Sequence, residues 1–190
     1  MYILIGLGNP GKKYSATRHN AGKILAAWLR AKGQGLKAKG NQILEGFEIV
    51  ETDCFMNHSG EWITKYFRAK GQRLKAKGDT GPDSLSPYPL ALIPLTVAHD
   101  DLDLPLGSFK IHFGRGPRLH KGILSIEQAL GTKDFWRVRI GVDNREEGRG
   151  KREEGEDYVL KPFNRDEKKI LIQTFAQIRK CIYSTPGFGA

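Results

Sequence analysis

The sequence predicts one α/β domain, and three observations lead there. The chain opens with the apolar run Tyr2-Ile3-Leu4-Ile5, a tight Gly6-Leu7-Gly8-Asn9-Pro10-Gly11 turn and a polar loop. A segment with Ile24, Leu25, Trp28 and Leu29 on one face follows. That order of strand, glycine turn, loop and helix is the one in which open α/β sheets hold ligands beyond their strand ends. Strand-like and helix-like segments then recur to the C-terminus. Finally, no linker divides two cores in 190 residues, a length that suits a single domain with a sizeable core.

The first helix begins near Asn20 and ends at Lys32-Gly33, and residues 33–40 read as a flexible basic connector. Ile43-Leu44 and then Phe47, Ile49 and Val50 make one or two short strands. An apolar-to-polar corner, 54–60, precedes a helix with Trp62, Ile63, Tyr66 and Phe67 on one face, which stops near Gly71. Ala31–Gly40 and Ala69–Gly78 differ at one position in ten, a repeated basic connector too short for a repeat architecture. Residues 71–94 form an irregular loop, with Pro82, Pro87, Pro89 and Pro94 excluding a central strand. Leu95–Ala98 is a strand running into His99-Asp100-Asp101-Leu102-Asp103, which places carboxylates at a strand end. Phe109–Phe113 is another strand, 114–122 a cationic glycine loop, Ile123–Leu130 a short helix and Trp136–Val142 a strand. Residues 143–157 are almost all charged or glycine and read as an exposed loop. Asn164 with Glu167 three residues later starts the last helix, whose apolar stripe is Ile170, Leu171, Phe175, Ile178 and Ile182.

Composition narrows the function. A hydrophobic fraction of 39% with 9% aromatics is that of a globular chain. No apolar run approaches the about 18 residues that span a bilayer, and no signal-peptide pattern opens the chain. Cys54 and Cys181 make no disulfide framework and read as thiols in a reducing cytoplasm. Cys54 with His58 is a weak nucleophile pair, since nothing nearby lowers the thiol pKa. Lys plus Arg total 31 against 21 acids, a net charge of +10, and residues 1–44 contain no acid at all. A cationic region beside a candidate site attracts a polyanion, most naturally nucleic acid.

His19 sits between Arg18 and Asn20, while Asn9, Asn57 and Asp100 all fall at strand ends or corners, positions that a parallel sheet gathers at one edge. A histidine bonded to a carboxylate keeps one tautomer and takes a proton from water. Asparagine amides hold a carbonyl or a peptide backbone without adding charge. Two competing motifs are weaker. Gly6-x-Gly8-x-x-Gly11 matches a dinucleotide fingerprint, but Pro10 interrupts it and the ribose-binding acid is missing. His99, Asp100, Asp101, Asp103 and His120 lack a metal-ligand spacing.

Together these residues resemble bacterial-type peptidyl-tRNA hydrolase. The matching motifs are the turn Gly6–Gly11, Tyr14-x-x-Thr17-Arg18-His19-Asn20-x-Gly22, Phe55-Met56-Asn57-x-Ser59-Gly60 and His99-Asp100-Asp101-Leu102-Asp103-Leu104-Pro105. Arg137–Gly141 and Asp157–Leu160 follow in the same order. The resemblance covers nearly the whole chain apart from 71–94. It implies a mixed twisted sheet flanked by helices on both faces. It further implies a cytoplasmic monomer that cleaves the ester between a peptide and the tRNA 3′-terminal ribose, with no metal or other cofactor. Peptidyl-tRNA is the implied partner, with no membrane and no obligate protein partner. By position His19 is the base, Asp100 its orienting partner and His120 a stabilising neighbour. Asn9 and Asn57 position peptide, carbonyl and water, and Tyr14 and Met56 line the groove. Arg139 matches a contact to the tRNA 5′ phosphate, with His112 where the family has Lys. Lys121 replaces the family's substrate-contacting Asn, and lysine cannot accept a hydrogen bond. It is read as a contact to a phosphate or to the ester carbonyl, or as an obstruction of the site. The alternative is a non-catalytic RNA-binding member of the same fold, like the plant organelle proteins that assist intron splicing.

Overall fold

Eleven consecutive residues, Leu95–Pro105, form the strand that the rest of the sheet is built around. The computed structural model describes residues 2–33, 36–38, 41–44, 46–71, 95–117, 119–145 and 155–184. The strands are β1 (Tyr2–Gly6), β2 (Leu36–Ala38), β3 (Asn41–Leu44), β4 (Phe47–Glu51), β5 (Leu95–Pro105), β6 (Phe109–Phe113) and β7 (Trp136–Asp143). All join one sheet in the order β2-β3-β4-β1-β5-β7-β6. Parallel pairing links β4, β1, β5 and β7, and antiparallel hairpins close both sides. The sheet is therefore mixed. The helices are α1 (Ala21–Lys32), α2 (Ser59–Ala69), α3 (Lys121–Leu130), α4 (Gly155–Val159) and α5 (Arg165–Ser184).

Side-chain alternation along the strands divides the core in two. Leu4, Phe47, Ile49, Ala98, Val138 and Ile140 pack against Leu25 and Leu29 of α1 and Phe175 and Ile178 of α5. Ile3, Ile5, Val50, Leu95 and Val97 point the other way, onto Ile63 and Phe67 of α2 and Ile123 and Ile126 of α3. Helices thus cover both faces, as expected for an α/β layer fold. The first turn of α1 lies close against the sheet: a Cβ on Gly22 would stand 2.0 Å from the Ala98 carbonyl oxygen. That approach fixes where the chain before α1 meets β5.

Several boundaries differ from the sequence reading. Leu36–Ala38, within the supposed connector, is a strand paired to β3, and edge strands tolerate the lysines that made it look like loop. His99–Asp103 lies inside β5 rather than beyond it, because β7 supplies backbone partners from Thr96 to Asp101. α3 starts at Lys121, two residues early, with His120 as its cap. Within the charged loop, Gly155–Val159 is the short helix α4, with Tyr158 and Val159 buried. Ile170 leaves the expected stripe and is exposed, while Glu167 and Thr174 of α5 are buried. The residues 72–94 and 146–154 of the two expected loops lie outside the described residues.

Candidate active site

Asp100 lies two residues beyond Ala98 on β5, hence on the face that α1 covers. The single 3-10 turn Arg18–Asn20 leads into α1 and carries His19 over it. His19 Nδ1 is 2.9 Å from Asp100 Oδ1 and 3.1 Å from Oδ2. His120 approaches the same carboxylate with Nε2 at 2.9 Å from Oδ1. Its other ring nitrogen, Nδ1, accepts from the Ile123 N–H at 3.2 Å, so Nε2 is the nitrogen that carries the proton and donates. Asp100 is 3% exposed and His120 5% exposed. Burial alone would raise the Asp100 pKa, but the His19 and His120 rings override it and hold the carboxyl well below its usual range.

An ionised Asp100 accepts from His19, which assigns the His19 proton to Nδ1. His19 Nε2 is left as a lone pair with no protein partner among the described residues. Burial lowers the His19 pKa, yet the Asp100 charge and hydrogen bond outweigh it and hold the ring above its ordinary 6.5. His99 beneath is different. It is fully buried, donates from Nδ1 to the Asp100 carbonyl at 2.6 Å, and is pushed well below 6.5 by burial and by His120. It stays neutral and packs against the His120 ring.

Asn9 completes the arrangement. Its side-chain oxygen accepts from the Met56 N–H at 2.9 Å, while its own N–H and carbonyl are both held by the Asn20 amide, at 2.8 and 3.0 Å. The Asn9 amide NH₂ is therefore oriented, and no described residue takes it. A free imidazole nitrogen and a fixed amide donor at the same sheet edge suit attack of water on a carbonyl.

The sequence places this site among known proteins. Residues 3–186 match the family model described as peptidyl-tRNA hydrolase. The chain belongs to the peptidyl-tRNA hydrolase family. It is 34% identical over 181 residues to peptidyl-tRNA hydrolase 2 of Corynebacterium glutamicum, covering 89% of this chain and 76% of the relative. Against the Aquifex aeolicus peptidyl-tRNA hydrolase it is 33% identical over 190 residues, covering 95% and 87%. The crystal structure of the Acinetobacter baumannii peptidyl-tRNA hydrolase superimposes with a TM-score of 0.69 over 96% of this chain and 88% of that one, at 24% identity, a likeness of fold.

Other residues expected to act in a peptidyl-tRNA hydrolase take more varied positions. Met56 is 4% exposed and packs under Gly122, where a Cβ would come within 2.5 Å of its sulfur; its backbone N–H is what reaches the site. Tyr14 sets its ring edge-on to Phe55 at 6.2 Å. Asn57 is exposed, and its carbonyl is held by Ser125 Oγ at 2.8 Å. Lys121, the first residue of α3, reaches Glu156 of α4 at 2.8 Å, with both side chains mostly exposed. Arg139 donates from Nε to Asp101 at 2.5 Å and is only 12% exposed. His112 faces Arg137 in the β6–β7 register, whereas exposed Lys110 lies directly opposite Arg139. At Cys54 burial and then Asp53 push the thiol pKa up, which disfavours the thiolate a nucleophile needs.

Sequence reasoning passed over the anchors. Asn20 clamps the Asn9 backbone, and Thr52 Oγ1 receives the Gly8 N–H at 3.3 Å. Arg18, beside His19, is 6% exposed; it pairs with Glu167 and donates to the Pro162 carbonyl at 3.0 Å. Its guanidinium lies 4.4 Å from the centre of the Tyr158 ring. The Asn20 and Arg18 identities were visible next to His19; their partners, far along the chain, were not.

Proposed function

We propose that this protein hydrolyses the ester joining a peptide to the 3′-terminal ribose of tRNA, with His19 as general base. What supports the reading is one carboxylate, Asp100, accepting N–H donors from both His19 and His120 and so leaving His19 Nε2 free. In the reaction Nε2 takes a proton from water, and the water oxygen adds to the ester carbonyl carbon. The tetrahedral intermediate then expels the ribose oxygen, which recovers the proton from Nε2. Asp100 stabilises the transient imidazolium, and His120 keeps the carboxylate from rotating away. Asn9 Nδ2 donates to the peptide or to the developing oxyanion, Asn57 and Lys121 contact substrate, and Met56 fixes Asn9. Tyr14 borders the groove. On β7 and β6, Arg139 and His112 face tRNA, joined by Lys110. The protein acts as a cytoplasmic monomer on peptidyl-tRNA and needs neither metal nor cofactor.

His19, Asp100 and His120 also place one ligand atom each within 4.8 Å of the others, a spacing a metal ion can use. The same atoms lie at hydrogen-bond distance, His19 Nδ1 and His120 Nε2 each 2.9 Å from Asp100 Oδ1, and the hydrogen-bonded reading is the one proposed. The test is hydrolysis of N-acetyl-aminoacyl-tRNA with and without chelator, beside His19→Ala. Expected are chelator-resistant turnover and a loss of about 10²–10⁴-fold in the variant. A folded protein that binds tRNA without turnover would instead be the RNA-binding member of the fold.

A further inference from the structure

Past the turn that carries Asn9 the surface opens into a cleft of about 690 Å³ in which Pro10 and Phe55 meet α2. Trp62 and Tyr66, one helical turn apart, line it with rings stacked at 5.3 Å and an interplanar angle of 11°. Asp53 and Glu61 contribute carboxylates, both exposed. Glu61 is engaged by Lys65 at 2.7 Å and by His58 at 3.7 Å. Asp53 has no ion-pair partner among the described residues. The ester hydrolysis described above uses none of these groups.

An unpaired carboxylate beside stacked aromatic faces recognises a cation on an apolar stem, whose methylenes lie on the rings while its charge meets the acid. Lys65 and His58 also line the cleft, but both engage Glu61, so Asp53 is the carboxylate left to attract a cation and to repel a phosphate. Two residues of the cleft, Pro10 and Phe55, are the chain neighbours of Asn9 and Met56 at the reaction centre. Phe55 packs edge-on against Tyr14 and directly precedes Met56, whose N–H holds Asn9. A peptide with its ester carbonyl at Asn9 and His19 leads its upstream residues past Phe55.

We propose that this cleft is a side-chain subsite for the peptide portion of the substrate, taking a lysine or arginine upstream of the esterified residue. The inference rests on the ester-hydrolase reading. It is tested with acetyl-X-X-Gly esters of one tRNA, X being Lys, Gln or Glu. The KM for the Lys substrate is expected about three- to fivefold below that for Glu at low salt, the range of one exposed ion pair, with kcat unchanged. Asp53→Asn brings this ratio towards one while leaving kcat on the Gln substrate as it was, and the remote Asp166→Asn does not change the ratio. Equal KM values for all three substrates, or a ratio indifferent to Asp53→Asn, overturn the proposal. So does a Trp62→Ala variant whose KM rises equally for all three and for acetyl-Gly-tRNA, since the cleft would then take a base of the tRNA end. Failure of the wild type to hydrolyse even acetyl-Gly-tRNA removes the ester-hydrolase reading itself, and the subsite with it.

Discussion

At His19 two physical effects oppose each other. Burial favours the neutral ring, and the Asp100 carboxylate favours the imidazolium; the carboxylate wins, so the pKa lies above 6.5. A general base works only when neutral, so kcat/KM is expected to climb with pH along a limb whose apparent pKa exceeds 6.5. In Asp100→Asn the two main raising causes vanish while burial remains, with only the opposed contributions of Lys121 and Glu156 beside it. That limb moves to lower pH while the plateau falls, because the amide no longer holds the proton on Nδ1; a pH–rate profile reads both. The stability signs follow separately. His19 contributes stability that is complete below its ordinary 6.5 and lost as pH rises through its higher folded value. Asp100 and His99 act oppositely: their folded pKa values are depressed, so their contributions are lost as pH falls, the His99 part beginning near 6.5.

Between elements, α3 and α4 meet through Lys121 and Glu156, and both charges reach His19, Lys121 lowering its pKa and Glu156 raising it. Lys121→Asn is therefore expected to raise the His19 pKa and Glu156→Gln to lower it. The shifts are small because the pair is exposed, and they shrink in high salt. An NMR titration of the His19 ring measures the two signs without relying on turnover. The start of α5 is tied more firmly. Asn164 Oδ1 receives the Glu167 N–H at 2.9 Å and Glu167 returns a bond to the Asn164 N–H at 2.7 Å, the reciprocal cap expected from the sequence. Asn164→Ala is expected to cost about 1 kcal/mol in urea unfolding. Glu167 also pairs with Arg18 in the interior, their side chains 6% and 7% exposed. Arg18→Ala leaves that buried carboxylate without its cation, though still hydrogen-bonded to Asn164 and Asn144, and is expected to cost about 3 kcal/mol. It also frees the turn that carries His19, so kcat falls along with stability.

Across the whole molecule, charge is distributed by role. The first 44 residues bring only cations, while the described acids nearest the reaction centre are paired: Asp100 with the histidines, Asp101 with Arg139, Glu156 with Lys121. A tRNA substrate bound by such a surface releases counterions, so KM is expected to rise steeply between 50 and 200 mM salt while kcat stays level. A short acyl ester without the nucleic acid lacks that dependence, and the comparison isolates the polyanion contact.

Much of this was present in the sequence because it is local. The Gly6–Gly11 turn, the start of α1 after Asn20, the amphipathic faces of α2 and α5 and the Asn164–Glu167 cap depend on residues within a few positions of one another. His19, Asp100 and Asn9 were legible as types at sheet edges. Tertiary structure decided the rest, through pairings across long separations. β7 extended β5 through His99–Asp103, and β3 turned the lysine-bearing Leu36–Ala38 into a strand. Ile170 faced solvent because Glu167, held by Arg18 from 149 residues away, turned inward with Thr174. The proton assignments came last. They required Ile123 to bond one nitrogen of His120 and Asp100 to accept from the other, a division no spacing encodes because hydrogen bonds are set by distance in space.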